Sequence, residues 1–290
     1  MLAAKLARTG VLLVCIFASC IATATTVSVI VTPVGIVIAT DSGRVARSGD
    51  NRPTGRSTTS KFVAVQGRFV VASVGTSDIT AADGTVPYRF QEWMKHINRG
   101  ISSTTSIDEL AETIQRESAK AFDGFDSVIR GGFIKPRKAI DNCQTFIQYI
   151  VAGYGDQVAK IYTIAFYIDW DQKKLIGPRI NLLPTKNGSN YLFYSFGITE
   201  ALDDLEVPES YAYKTVASRC PAFKVLMGAH DISLADSIGI SKAMVRVEEE
   251  IDPREVFGPV AAVTILPNGT VSDPETESRK TPPKTKAGSY

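Results

Sequence analysis

Thr25 follows Ala22-Thr23-Ala24, a small-x-small triplet of the kind at which leader peptides are cut. A cut after Ala24 makes Thr25 the first residue. A terminal threonine carries nucleophile and base together: the hydroxyl attacks, and the α-amine, with an ordinary pKa of roughly 7.7 to 8.0, takes its proton near neutral pH. No histidine is required, which suits a chain with only two, His96 and His230, too few and too isolated for a metal site of the usual His/Cys type. Three other residue types would complete such a site. A lysine beside the amine lowers its pKa, and an acid offsets the cost of keeping that lysine charged when partly buried. A glycine lets a backbone N–H approach the oxyanion. Lys61, Asp41 and Gly75 are the candidates.

Two hairpins would bring them together. Thr25 to Thr32 is rich in β-formers, Pro33 suits the second position of a turn, and Gly35 to Thr40 returns. A turn centred on Pro33-Val34 pairs residues whose numbers sum to about 67, which sets Thr25 opposite Ser42 and beside Asp41. Lys61 to Val65 then runs to Gln66-Gly67 and back as Arg68 to Gly75, with Lys61 opposite roughly Ala72 and at the same end as Gly75. With the two hairpins side by side in one sheet, Thr25, Asp41, Lys61 and Gly75 converge. The polar stretch between them, Ser42 to Ser60, carries Arg44, Arg47, Arg52 and Arg56, which reads as a solvated loop or as a greeting for acidic substrates.

Ahead of Thr25, Met1 to Ala24 has Lys5, Arg8 and no acid, then the apolar run Val11 to Ala18, the layout of a secretory signal peptide. That run is shorter than the roughly 20 residues of a membrane anchor. A competing site, Phe17-Ala18-Ser19-Cys20, would make Cys20 the lipidated first residue and hide Thr25. The expected protein is exported, periplasmic or secreted, with no membrane attachment once residues 1–24 are gone. Losing the leader removes two bases, so 30 Lys and Arg remain against 30 Asp and Glu, and nothing is left to attract nucleic acid. Cys143 and Cys220 survive, either as a disulfide or as two buried thiols.

Farther along, Tyr88 to Asn98 and Ser106 to Phe122 have a helical period. In the second, Ser106 and Glu109 form a capping box, and Ile107, Leu110, Ala111, Ile114, Ala121 and Phe122 make an apolar stripe. Strands are expected at Thr145 to Ala152, Ala159 to Asp169, Lys174 to Leu183, Tyr191 to Phe196 and Val260 to Leu266. Two more helices are expected near Glu209 to Cys220 and Leu234 to Glu250. The order of strands and helices predicts an α+β domain over 25–270, two stacked sheets covered by helices on both outer sides. Residues 271–290 have no apolar periodicity and read as a disordered tail.

These residues resemble the proteasome β-type subunits of the N-terminal-nucleophile hydrolases. Thr25-Thr26 stands at the family's terminal threonine, Asp41 at its acid, Lys61 in Thr-Ser-Lys-Phe at its lysine with about four residues more spacing, and Gly75 at its oxyanion glycine. Ala152-Gly153-Tyr154, Tyr194-Ser195-Phe196-Gly197 and Gly258 to Val263 are similar to family segments as well. The resemblance implies a four-layer αββα fold, no cofactor, and hydrolysis of peptide or small amide bonds through an acyl-enzyme on Thr25. It also implies that Ser195 and Asp252 steady the terminal amine, although Ser195 is displaced by one residue from the family's Gly-Ser-Gly and Asp252-Pro253-Arg254-Glu255 lacks the second serine of its Asp-x-x-Ser. Ser73 and Thr76, flanking Gly75, would bind substrate. A homo-oligomer fits a family that forms rings, and a non-catalytic scaffold of the same fold is the alternative reading.

Overall fold

β2 (Thr26–Thr32) and β3 (Gly35–Asp41) turn at Pro33 and Val34 and pair with Val27 opposite Thr40, the register that a two-residue turn predicts. The computed structural model describes residues 19–23, 25–47, 53–80, 88–131, 143–185, 191–197, 202–228 and 230–273. In it this hairpin forms the centre of a five-stranded antiparallel sheet in the order β12 (Leu192–Gly197), β2, β3, β13 (Val260–Ile265), β14 (Val271–Ser272). Both central strands are buried on both faces, so the sheet is covered on each side.

The second hairpin, β6 (Phe62–Val65) with β7 (Phe69–Thr80), belongs to a different sheet, which corrects the side-by-side expectation. Seven antiparallel strands make up that sheet. Its main path is β1 (Ser19–Thr23), β7, β9 (Cys143–Gly155), β10 (Val158–Asp169), β11 (Lys174–Leu182), with β6 and β8 (Tyr88–Arg89) also on β7. Val70, Ala72 and Val74 of β7 pack against Val27, Val29, Ile36 and Ile38 of the first hairpin. The hairpins therefore bury more apolar surface by stacking face to face than by extending one edge. The β6–β7 loop has three residues, Gln66 to Arg68, with Arg68 N–H donating to the Val65 carbonyl at 3.0 Å, so Phe62 meets Ala72 and Lys61 meets Ser73.

The other face of β7, through Phe69, Val71 and Ile79, packs with α1 (Phe90–Gly100), α2 (Ile107–Ala121) and α3 (Asp126–Arg130). The capping box of Ser106 and Glu109 forms, and Ile107, Leu110, Ala111 and Ile114 are buried while Ala121 is exposed. A second helical cluster, α4 (Tyr211–Arg219), α5 (Ala222–Met227) and α6 (Leu234–Ile251), packs onto Ile30 of the five-stranded sheet. The result is an α+β chain with two antiparallel sheets and, among the described residues, six helices. The short helices α3 and α5 were not anticipated.

Three other expectations change. The polar stretch after Ser42 folds as a ribbon, β4 (Gly43–Arg47) with β5 (Pro53–Thr58), Arg52 lying outside the described residues. Val271 and Ser272, assigned to the tail, pair with β13, and 274–290 lie outside the described residues. The end of the expected leader, Ser19–Thr23, is strand β1, while residues 1–18 and 24 are not among those described. Cys220 is a free thiol in the α4–α6 cluster, and Cys143 begins β9 of the opposite sheet.

Candidate active site

The site forms where the two sheets meet at one end. Thr25 immediately precedes β2 and Asp41 closes β3, so the first hairpin sets them side by side. The carboxylate of Asp41 accepts from the N–H of Thr26 (Oδ1, 3.1 Å) and from the N–H of Gly43 (Oδ2, 3.1 Å), which fixes its plane. Lys61 comes from the other sheet, one residue before β6, and its backbone is pinned by Ser73 N–H donating to the Lys61 carbonyl at 2.8 Å. Its ammonium donates to Asp41 Oδ2 at 2.9 Å and to Thr25 Oγ1 at 2.7 Å. Thr25, Asp41 and Lys61 are each 1% exposed.

An ammonium and a carboxylate buried together lose hydration worth several kcal/mol per ion, of the order of what their attraction returns. Burial accordingly pushes the Lys61 pKa down, with the Asp41 charge and hydrogen bond pulling it back. Burial likewise raises Asp41, and Lys61 with the two backbone donors partly offsets the rise. Both shifts favour release of a proton from Lys61 compared with a solvated lysine. A lysine so placed, 2.7 Å from a hydroxyl oxygen, can polarise that hydroxyl and exchange a proton with it.

Gly75 lies on β7 opposite Thr23 on one side and Ile147 on the other. Its φ is +86°, and a Cβ there would stand 2.6 Å from the Phe146 carbonyl oxygen, so no side chain fits. A second glycine escaped assignment from the sequence. Gly197 ends β12 opposite Thr26 with φ +94°, and a Cβ on it would overlap the carbonyl oxygen of Thr25. The signal for it was present in Ser195-Phe196-Gly197, but the register that gives it meaning joins strands far apart in sequence.

Ser195 does not reach Thr25. Its partner across the β12–β2 ladder is Ser28, three residues along the strand, and no hydrogen bond links it to Thr25 among the described residues. Asp252 acts as helix punctuation. Its N–H donates to the Glu248 carbonyl at 2.8 Å, and its own carbonyl accepts from Glu255 and Val256. Ser73 is buried between Lys61 and Tyr149, with an Oγ that has no hydrogen-bond partner among the described residues. Thr76 pairs through its backbone with Ala22, and its side chain lies outside the described residues. Among those residues no group of three or more His, Cys, Asp or Glu could hold a metal ion, and no helix is long and apolar enough to cross a membrane.

No protein-family profile matches the chain, and no curated protein matches its sequence.

Proposed function

We propose that the chain is an exported threonine-type hydrolase of peptide or related amide bonds, activated when removal of the leader frees the α-amine of Thr25. The observation that carries this reading is the buried chain of contacts from Asp41 through the Lys61 ammonium to Thr25 Oγ1, at 2.9 and 2.7 Å. The freed amine takes the hydroxyl proton as Oγ1 attacks the substrate carbonyl and passes it to the leaving nitrogen as the C–N bond breaks, which leaves an acyl-enzyme ester on Thr25. Lys61 holds the amine's pKa down and Oγ1 polarised. The N–H of Gly75 stabilises the oxyanion, since the β7 register sets it opposite Thr23, two residues ahead of Thr25. The amine, neutral again, takes a proton from the water that adds to the ester carbonyl and returns it to Oγ1 as the C–Oγ1 bond breaks, which releases the acid and restores Thr25. Two stacked antiparallel sheets, each with its own helical cluster, support a four-layer αββα arrangement of the N-terminal-nucleophile type.

Exported protein is expected to begin at Thr25 and to form one adduct with an epoxyketone, a reagent that needs both hydroxyl and free amine. Thr25→Ala should abolish adduct and turnover. Correctly processed protein that takes no label would overturn the enzymatic reading in favour of a scaffold of the same architecture.

A further inference from the structure

Asp41 Oδ2 accepts from two donors, the Lys61 ammonium at 2.9 Å and the N–H of Gly43 at 3.1 Å. The proposed chemistry uses the lysine and leaves open why the other donor is a glycine, buried at the start of β4. Space decides it. A Cβ on Gly43 would lie 2.5 Å from the Phe257 carbonyl oxygen and 2.7 and 2.8 Å from two carbons of the Phe257 ring, so any side chain there would collide with Phe257. On a strand the Cβ direction leads out of the pleat, and atoms met there press on the strand along that direction. Pairing of Gly43 with Thr58 across the β4–β5 ribbon fixes it sideways only. Phe257 closes the direction that the ladder leaves open.

Phe257 arrives there because β13 pairs Val260 with Asp41, so the residues just ahead of Val260 run on past Ser42 and Gly43. That segment is anchored at both ends. Val256 is fully buried and donates its N–H to the Asp252 carbonyl at 2.9 Å, and Arg246 of α6 donates to the Gly258 carbonyl at 3.3 Å. The Arg56 guanidinium lies over the Phe257 ring, 4.9 Å from its centre, and donates to the Arg254 carbonyl at 3.5 Å. The half-buried ring thus touches both strands of the ribbon, Gly43 of β4 and Arg56 of β5. A displaced Gly43 would move a donor on Oδ2, the oxygen that Lys61 also uses, and an error of about 1 Å in a reacting group costs on the order of a hundredfold in rate.

We infer that Phe257 is a positioning residue for the proposed hydrolysis: pressed against Gly43, it holds the N–H that fixes Asp41 Oδ2 and so keeps the Lys61 ammonium aimed at Thr25 Oγ1. Its effect on rate rests on the proposed hydrolase reading, whereas its coupling to Asp41 does not. Phe257→Ala, Phe257→Leu and Phe257→Tyr are assayed on a fluorogenic peptide amide, with kcat taken per site labelled by the epoxyketone, so that unfolded protein is not counted. Phe257→Ala should lose about tenfold in kcat with KM within about twofold of the parent, and Phe257→Tyr, which keeps the ring, should recover nearly all of the loss. A parent-like kcat in Phe257→Ala, or a loss confined to KM, would overturn the inference and leave the hydrolase intact. If the alanine variant does not fold, Phe257→Leu takes its place: about threefold lost in kcat supports the inference, and no loss overturns it. Urea midpoints of Phe257→Ala or Phe257→Leu, of Asp41→Asn and of the double variant then judge the coupling without any substrate. Losses that fall short of additive support it, and additive losses reject it. A parent that turns over no peptide amide would count against the hydrolase, and the cycle would still decide the role of Phe257.

Discussion

In the proposed chemistry Lys61 faces two demands that oppose each other: it is buried against Thr25 Oγ1, and it must be paired to tolerate burial. Asp41 meets the second demand, and Asp41 is in turn held by the N–H groups of Thr26 and Gly43. Lys61→Met should therefore abolish turnover and also lower stability by about 3 kcal/mol at neutral pH, because it strands a buried carboxylate. The deficit depends on pH. Asp41 is already raised by burial and rises further without the ammonium. A raised carboxyl contributes stability below its unfolded pKa of roughly 3.9 and loses it as pH rises through the folded value, so the deficit should be smaller at about pH 4.5 than at about pH 7.5. Urea midpoints of parent and variant at the two pH values test this, and a deficit that does not change with pH would mean that Asp41 is not the stranded group. Gly197→Ala makes a steric test of the same centre. Its Cβ would overlap the Thr25 carbonyl at a φ of +94°, so a loss of about 3 kcal/mol together with lost labelling of Thr25 is expected.

Elements differ in how much of their placement is local. The β2–β3 register was legible because Pro33-Val34 dictates it, and so was the α2 cap, because Ser106 and Glu109 lie within one turn. The sheet that each hairpin would join was not legible, since the β-rich runs of the two hairpins leave edge pairing and face stacking equally open until the helices are placed. Ser195 shows the same limit: its type and neighbours suited a role at Thr25, yet the β12–β2 register, set by tertiary packing, puts it opposite Ser28. The ribbon was missed because, apart from the adjacent Val45 and Ala46, it is made of Gly, Pro and polar residues, with no alternation to read. Support for β7 from its helix side hides in the same way. Tyr149, opposite Ser73, is fully buried, stacks on Trp93 at 5.1 Å and shares a 2.6 Å hydrogen bond with Tyr88. Tyr88→Phe leaves one hydroxyl stranded and should cost about 2 kcal/mol, whereas the double Tyr88→Phe, Tyr149→Phe variant should recover part of that loss. Thermal melts of the four proteins of this cycle would expose additive losses, which would mean that the hydroxyl pair is not coupled.

At the scale of the whole molecule, the candidate site is divided between two sheets that are not joined edge to edge. Thr25 and Asp41 ride on the five-stranded sheet, Lys61 and Gly75 on the seven-stranded one, and the apolar core between them sets the distance across which the Lys61 ammonium reaches Oγ1. Catalysis should therefore be more sensitive to packing between the sheets than to packing of equal energy elsewhere. Val29→Ala and Val70→Ala remove fully buried methyl groups from that core, one from each sheet, and Val216→Ala removes the same groups from the α4–α6 cluster. Each should cost about 2 kcal/mol, little enough for the protein to stay folded at assay temperature. The inter-sheet variants should lose about tenfold in kcat, since small displacements of reacting groups carry large rate penalties, and Val216→Ala should stay within about twofold of the parent. Equal losses from all three at matched stability would mean that the spacing of the sheets does not tune the site, and that the lysine is positioned by its own hairpin alone.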